Sequence, residues 1–285
     1  MDFDGRQRGL NMEYWNHIYE HFNPVAFTLG PIPVHWYGLM YVTALFTAFA
    51  IAKWIIEKDA IAITKEQLDD FFSWEVFGVI LGARLGYVFF YDPNSWYYLT
   101  HPWQIFNPFM DGQYVGIRGM SYHGAVIGFL IASYLYVRRS GIPFGRLMDV
   151  VAISVPLGYV FGRIGNFLNQ ELVGRATDVP WGIYVYDTLR HPSQLYEAFV
   201  EGIVVFAIIY LYRKRKAFEG ELILLYGVSY GIGRGLVEFY RAPDAQIGYL
   251  IGNWLTLGMV LSFAMAAVAA VLWIYFRSRN QMQKQ

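Results

Sequence analysis

Positions 162–175 read GRIGNFLNQELVGR and close an apolar run that begins near Leu147. An arginine, two asparagines, a glutamine and a glutamate therefore arrive together where a membrane span would end. On a helix Arg163, Asn166 and Gln170 fall at i, i+3 and i+7, so a guanidinium and two carboxamides are expected on one face at bilayer depth. A guanidinium at the bilayer centre costs roughly 2.5–3.5 kcal/mol on insertion scales. Such a residue is retained either for a structural ion pair that locks two helices or for a ligand that takes planar, charge-assisted hydrogen bonds.

The same kinds of residue recur further along. Tyr230, Arg234, Glu238 and Arg241 lie at i, i+4, i+8 and i+11 on one helical face, among Gly227, Gly231, Gly233 and Gly235. Arg234 and Glu238 are placed to neutralise one another. Glu197 and Glu201, at i and i+4, form a like-charge pair that needs an arginine partner or a shared proton. Glu201, the deeper of the two, is equally compatible with a neutral structural acid. His123, between Tyr122 and Gly124, is either a base or a packed histidine bonded to a carbonyl. Two arginines in a dry cavity suit a phosphate, and the commonest phosphate of an outer leaflet is a phospholipid headgroup.

The elements that must position these groups follow from composition. Of 285 residues 56% are hydrophobic, 19% aromatic and only 15% charged, which is the balance of a polytopic membrane protein. The formal net charge is zero, so no global basic field argues for nucleic acid. There is no cysteine, which excludes disulfides, thiolate metal sites and a cysteine nucleophile; any thiol chemistry must use a thiol of the substrate. No metal-ligand cluster or nucleotide-binding glycine loop stands out, so no cofactor or metal is expected. No apolar segment follows a basic one within the first thirty residues, so no cleavable signal peptide is expected, and Met12 offers an alternative start.

Apolar runs long enough to span appear near 34–56, 73–91, 120–137, 147–168, 194–212, 221–240 and 253–276. The reading is an all-α polytopic membrane protein of seven transmembrane helices. It has an N-terminal interfacial segment 1–33, a membrane domain 34–276 with a short extracytoplasmic segment 171–192, and a tail 277–285. With seven spans the termini lie on opposite sides. One side collects thirteen lysines and arginines and the other six, with Arg84, Arg163 and Arg234 inside spans, so the N-terminus is expected outside and the C-terminus in the cytoplasm. In that frame His35, Tyr37, His123, Arg163 to Glu171, His191 to Glu197 and Arg234 to Arg241 all fall in the outer half of the bilayer. Structural polar residues would scatter over both leaflets, so the convergence favours a site.

Gly78, Gly82 and Gly86 recur every fourth residue of the second run and predict a close helix contact. Arg84 lies opposite that stripe, expected either in the same cavity or snorkelling to the headgroups. The segment SWYYLTHPWQIFNPF (95–109), rich in aromatics and almost uncharged, reads as an arm in the outer interface, either an aromatic anchor or the frame of a lateral entrance for lipid.

Six blocks carry a family resemblance: HWYGLMY (35–41), LGARLGYVFFY (81–91), GMSYHGAVIG (119–128), the GRIGNFLNQELVGR stretch, RHPSQLYE (190–197) and GRGLVEFYRAPDAQ (233–246). In this order they resemble the bacterial prolipoprotein diacylglyceryl transferases, and the resemblance runs from about Asn23 onward. It implies a seven-span enzyme of the bacterial inner membrane that moves the diacylglyceryl group of phosphatidylglycerol to the lipobox cysteine in the signal peptide of a prolipoprotein, forming a thioether and releasing glycerol phosphate. Carried onto this sequence, it implies that Tyr37, His123, Arg163, Asn166, Glu171, Gly174, Arg234, Glu238 and Arg241 form or support the site, with Asn169 and Tyr230 beside them. The assignment that follows has His123 take the thiol proton and Arg163 and Arg234 stabilise the leaving phosphate. Asn166 and Tyr37 orient the lipid, and Glu171 and Glu238 hold the arginines.

Two departures stand out. Gly124-Ala125 replaces the family's paired glycine, and the segment between Arg175 and Arg190 is much shorter than the head domain of some members, which leaves signal-peptide docking open. The competing classes are a transporter or channel for an anionic solute and a non-catalytic lipid-binding scaffold. Against the first stand the absence of an internal repeat and of polar residues in the inner half. The second would leave His123 without a purpose.

Overall fold

The computed structural model describes residues 12–283 except 31, 94, 111, 115, 117–118 and 244–247. Arg6, Arg8, Arg118 and Lys284 of the charge partition, and positions 244–246 of the last sequence block, lie outside the described residues. Seven long helices occupy the seven apolar runs: α1 (Trp36–Lys58), α2 (Lys65–Phe90), α3 (Tyr122–Ser140), α4 (Phe144–Leu168), α5 (Ser193–Arg215), α6 (Glu221–Val237) and α7 (Leu257–Met282). Of these α1, α2, α4, α5 and α7 are long and apolar enough to cross a membrane. The chain is thus a mainly helical, polytopic membrane protein. At 1.5 Å per residue the 17 residues of α6 reach about 26 Å, short of a hydrocarbon core of about 30 Å.

The all-α expectation is corrected by four two-stranded antiparallel hairpins in the connections. They are Val25–Leu29 with Ile32–His35, Phe109–Met110 with Gln113–Tyr114, Ile183–Val185 with Thr188–Arg190, and Tyr249–Ile251 with Leu255–Thr256. Strands of two to five residues are too short for alternation to show above the aromatic background.

The chain forms two compact units, one from residues up to Trp54 together with Met148 onward, the other Ile55–Leu147. In the Ile55–Leu147 unit α2 opens on a capping box, with Gln67 N donating to Thr64 Oγ1 at 3.2 Å and Thr64 N to Gln67 Oε1 at 2.9 Å. The glycine stripe has its partner in α3. A Cβ at Gly82 would lie 2.7 Å from Gly128 Cα and one at Gly86 2.7 Å from Gly124 Cα, so the backbones approach as only glycine permits. Buried Glu75 of α2 accepts the Ser133 hydroxyl of α3 at 2.6 Å. Arg84 follows neither expectation. It is buried, its Nε donates to the Ile105 carbonyl and its Nη1 to the Gly119 carbonyl at 3.2 Å, with Tyr87 and Tyr98 rings each 5.8 Å away. It anchors the aromatic arm, folded as a short helix Ser95–Thr100 and a 3-10 turn Pro102–Phe106, from which Trp96 and Trp103 project exposed.

In the other unit Gly158 of α4 meets α1, where a Cβ would lie 2.7 Å from the Ala44 carbonyl. Gly220 precedes α6 as its N-cap, and Asp149 of α4 caps the helix from a distance: Oδ1 accepts Leu222 N at 2.8 Å, and Oδ2 accepts Gly220 N at 3.0 Å and Lys216 Nζ at 2.9 Å. α5 contains a π-helical stretch, Ala198–Val204, that widens the turn between Glu197 and Glu201.

Candidate active site

Arg163 sits near the C-terminal end of α4 with its guanidinium 4.7 Å from the centre of the Tyr159 ring. Its Nε donates to the Tyr159 hydroxyl at 2.7 Å and lies 2.8 Å from Glu197 Oε2, while Nη1 donates to Asn166 Oδ1 at 3.0 Å. Asn166 in turn donates to Glu171 Oε1 at 2.8 Å. Glu171 therefore holds Arg163 through Asn166 and not by direct contact.

Fully buried Glu197 bridges two arginines, accepting from Arg241 Nη1 at 2.9 Å with its second oxygen. Arg241 Nε is 3.4 Å from Glu238 Oε2, and Arg234 Nη1 is 2.7 Å from the same oxygen, so the expected Arg234–Glu238 pair is present. The Thr256 hydroxyl donates to Glu238 Oε1 at 3.0 Å. The series Arg163, Glu197, Arg241, Glu238, Arg234 alternates in sign and ties α4, α5 and α6 together. Burying such charges is tolerable because each meets an opposite one, and removing a single partner would strand a charge. Of the two end arginines Arg163 is not used up, since among the described residues no group accepts from its Nη2, whereas Arg234 Nη1 is engaged by Glu238 Oε2.

The loop after α4 corrects one expectation. The helix ends at Leu168 and Gln170 takes φ 58°, so it leaves the Arg163 face, and its Nε2 donates to the Tyr19 carbonyl at 3.1 Å. Leu172 also has a positive φ of 55°, so Glu171 sits between two left-handed residues, a strained turn that its surroundings must enforce. RHPSQLYE supplies the restraint, as Gln194 Nε2 donates to the Glu171 carbonyl at 2.5 Å and the Ser193 hydroxyl to the Leu172 carbonyl at 3.2 Å. Gly174 has to lack a side chain, because a Cβ would lie 2.6 Å from the Tyr240 carbonyl and 2.7 Å from His191 Cβ. Arg175 Nε donates to the Arg241 carbonyl at 2.7 Å and Nη2 to the Glu238 carbonyl at 3.2 Å.

Tyr37, in the first turn of α1, is half exposed and lies within electrostatic range of Arg163 and Glu171. Tyr230 packs edge-on to Tyr159 at 5.8 Å. Asn169 finishes the last turn of α4 through its backbone, its N donating to the Gly165 carbonyl at 2.9 Å. His123 belongs to the Ile55–Leu147 unit. It is exposed in the first turn of α3, its Nδ1 3.3 Å from the Tyr91 hydroxyl, and it lines an apolar groove of about 1160 Å³ along α2 and α3. Among the described residues no carbonyl accepts from it. Sequence reasoning missed Tyr159 and Thr256. The first was findable, standing four residues before Arg163 on the same helical face; the second lies fifteen or more residues from any arginine of the series.

A polytopic membrane chain whose helices carry buried guanidinium groups braced by carboxylates, with a donor of Arg163 to spare, defines a class: membrane proteins built to receive an anionic group. Comparison with known proteins makes the class particular. Residues 24–275 match the family model described as prolipoprotein diacylglyceryl transferase. A Wolinella succinogenes protein named phosphatidylglycerol–prolipoprotein diacylglyceryl transferase is 62% identical over 267 residues, covering 94% of this chain and 98% of its own. Proteins of the same name from Aliarcobacter butzleri and Campylobacter jejuni are 55% identical (93% and 98% covered) and 56% identical (94% and 99% covered). The chain belongs to the prolipoprotein diacylglyceryl transferase family.

Proposed function

We propose that this chain transfers the diacylglyceryl group of phosphatidylglycerol to the thiol of a lipobox cysteine in a prolipoprotein signal peptide. The observation that carries the reading is the ion-pair series with Arg163 and Arg234 at its ends, each tied to a carboxylate, with Arg163 Nη2 taken by no group among the described residues. The reaction is a displacement at an sp3 carbon: the sulfur–carbon bond forms, the carbon–oxygen bond to phosphate breaks, and glycerol phosphate leaves with the electron pair. The thiol must lose its proton and the departing anion must be stabilised. His123 takes the proton, a role typically contributing roughly 10²- to 10⁴-fold. Arg163 and Arg234 receive the phosphate charge in a dry setting where such contacts count most. Tyr37 and Asn166 orient the lipid, while Glu171, Glu197, Glu238 and Arg241 keep the two guanidinium groups in place. The absence of cysteine fits a nucleophile brought by the substrate.

The reading extends to topology: seven spans in the bacterial inner membrane, the N-terminus outside and the site in the outer-leaflet half, supported by the lysine and arginine partition. Single cysteines at Thr177 and Ala217 are expected to react with an impermeant reagent from opposite faces, Thr177 from outside; labelling of Ala217 in intact cells reverses the orientation. The activity is tested with purified chain, phosphatidylglycerol and a synthetic lipobox peptide. The peptide gains the mass of one diacylglyceryl group and glycerol phosphate appears in equal amount. A serine-for-cysteine peptide gains nothing. An unmodified cysteine peptide would refute the assignment. An anion transporter would instead move solute into proteoliposomes with no peptide at all.

A further inference from the structure

Glu201 is fully buried in α5 and lies within ion-pair distance of no cation among the described residues. Its Oε2 accepts the Tyr159 hydroxyl at 2.5 Å, and among the described residues its Oε1 has no hydrogen-bond partner. The packing around it is built for close approach. A Cβ at Gly202 would lie 3.1 Å from the Pro156 carbonyl of α4, and one at Gly233 of α6 would lie 3.0 Å from Val200 and 3.8 Å from Glu201 Cγ. A buried acid with no cation in direct contact is expensive, and a packing role alone would be served better by an apolar side chain.

Tyr159 connects this acid to the phosphate-binding edge. Its hydroxyl has one proton and two carboxylate oxygens in reach, Glu201 Oε2 at 2.5 Å and Glu197 Oε2 at 3.3 Å. The same hydroxyl accepts from Arg163 Nε at 2.7 Å, and Glu197 Oε2 is the oxygen that pairs with Arg163. Whichever carboxylate takes the phenolic proton therefore decides how much of Glu197 is left for the arginine. We propose that Glu201 is a positioning residue for the phosphate contact: it draws the Tyr159 proton away from Glu197, so that the phenol oxygen and the whole of Glu197 Oε2 fix the Arg163 fork. The proposal rests on Arg163 being a phosphate ligand, and it adds a residue that touches neither the arginine nor any substrate.

The test is steady-state kinetics with varied phosphatidylglycerol and saturating lipobox peptide, at matched thermal stability. Glu201→Met keeps the length and removes the acceptor; kcat/KM falls about tenfold, with a higher KM for the lipid. Glu201→Gln still offers a carbonyl oxygen to Tyr159 and stays within about threefold of the parent chain. Tyr159→Phe reproduces the loss, and adding Glu201→Met to it costs nothing more, because the two act in series. A purely structural Glu201 would lower kcat by loss of active protein and leave the lipid KM unmoved. That result overturns the proposal, as do equal losses for the Gln and Met variants or multiplying losses in the double variant. If Glu201→Met does not fold, Tyr159→Phe decides alone, since normal turnover there leaves Glu201 no route to Arg163. Failure of the underlying reading is separate: Arg163→Lys would then keep a normal KM and kcat whatever Glu201 does.

Discussion

Two clusters of buried carboxylates stand at opposite ends of α4, and they treat their hydrogen bonds differently. Near its N-terminal end Asp149 takes donors from Lys216, Gly220, Leu222 and Ile223. Beyond it Glu221 accepts from the Tyr212 hydroxyl at 2.7 Å, Trp273 Nε1 at 2.8 Å, Arg277 Nη1 at 2.5 Å and the Ala217 backbone. Near the C-terminal end, Gln194 Oε1 and Glu201 Oε1 are buried without a hydrogen bond among the described residues, and Arg234 Nη1, Glu238 Oε2 and Arg241 Nε meet only as ion pairs, while every buried oxygen of Asp149 and Glu221 is hydrogen-bonded. A saturated cluster holds helices together. A cluster with unsatisfied groups holds them together less well than it could, which is what the proposed site for another molecule requires.

The contrast can be broken most forcefully at Arg163. Arg163→Lys keeps the charge and loses the planar fork, so turnover falls on the order of 10²- to 10³-fold while thermal stability changes little. Near-normal turnover would reduce the C-terminal cluster to a second structural lock. A loss of nearly that size is expected at His123, in the other unit. His123→Gln lowers turnover at least about 10²-fold near neutrality, and the deficit narrows as pH rises toward a free thiol pKa of about 8.5, where thiolate forms without help. Parallel pH profiles for variant and parent would remove His123 from proton transfer.

Glu221→Ala tests the saturated end. It strands Tyr212, Trp273 and Ala217 and costs about 1–3 kcal/mol, read as a lower unfolding midpoint with unchanged kcat per folded molecule. Loss of specific activity without loss of stability would erase the distinction between the two ends. The smallest effect is expected at His191, which lies outside the helices beside Tyr196 and Tyr240. Burial holds its imidazole below its ordinary pKa, against a weaker opposite pull from Asp178. The unfolded chain then binds the proton more readily, so this contribution is complete above about pH 6.5 and fades as pH falls from there through the folded value. Thermal midpoints at pH 7.5 and 5.5 should differ less in His191→Gln than in the parent chain, and an unchanged difference would reject the shift.

Much of the molecule was legible in the sequence because its signals are local and strong. Apolar runs of about twenty residues placed all seven helices, five of them long and apolar enough to cross a bilayer, because that length and composition are rare in any other setting. The Gly78, Gly82 and Gly86 stripe announced a close contact, and the i, i+4 spacing of Arg234 and Glu238 announced their pair. Three features depended on tertiary structure. Gln170 left the Arg163 face because two residues after Leu168 take positive φ, a choice enforced by Ser193 and Gln194 from more than twenty residues away. Arg84 proved an anchor for the aromatic arm, as its partners are backbone carbonyls, which have no sequence signature. Glu197, read as one of a like-charge pair needing an arginine or a shared proton, met two arginines, Arg163 and Arg241, while Glu201 turned to Tyr159, and which partners these were only the packing decided. A sequence states which charges are present and on which face of their own helix they lie. Which charge on another helix each one meets, and which donors are left over, is decided only when the helices pack.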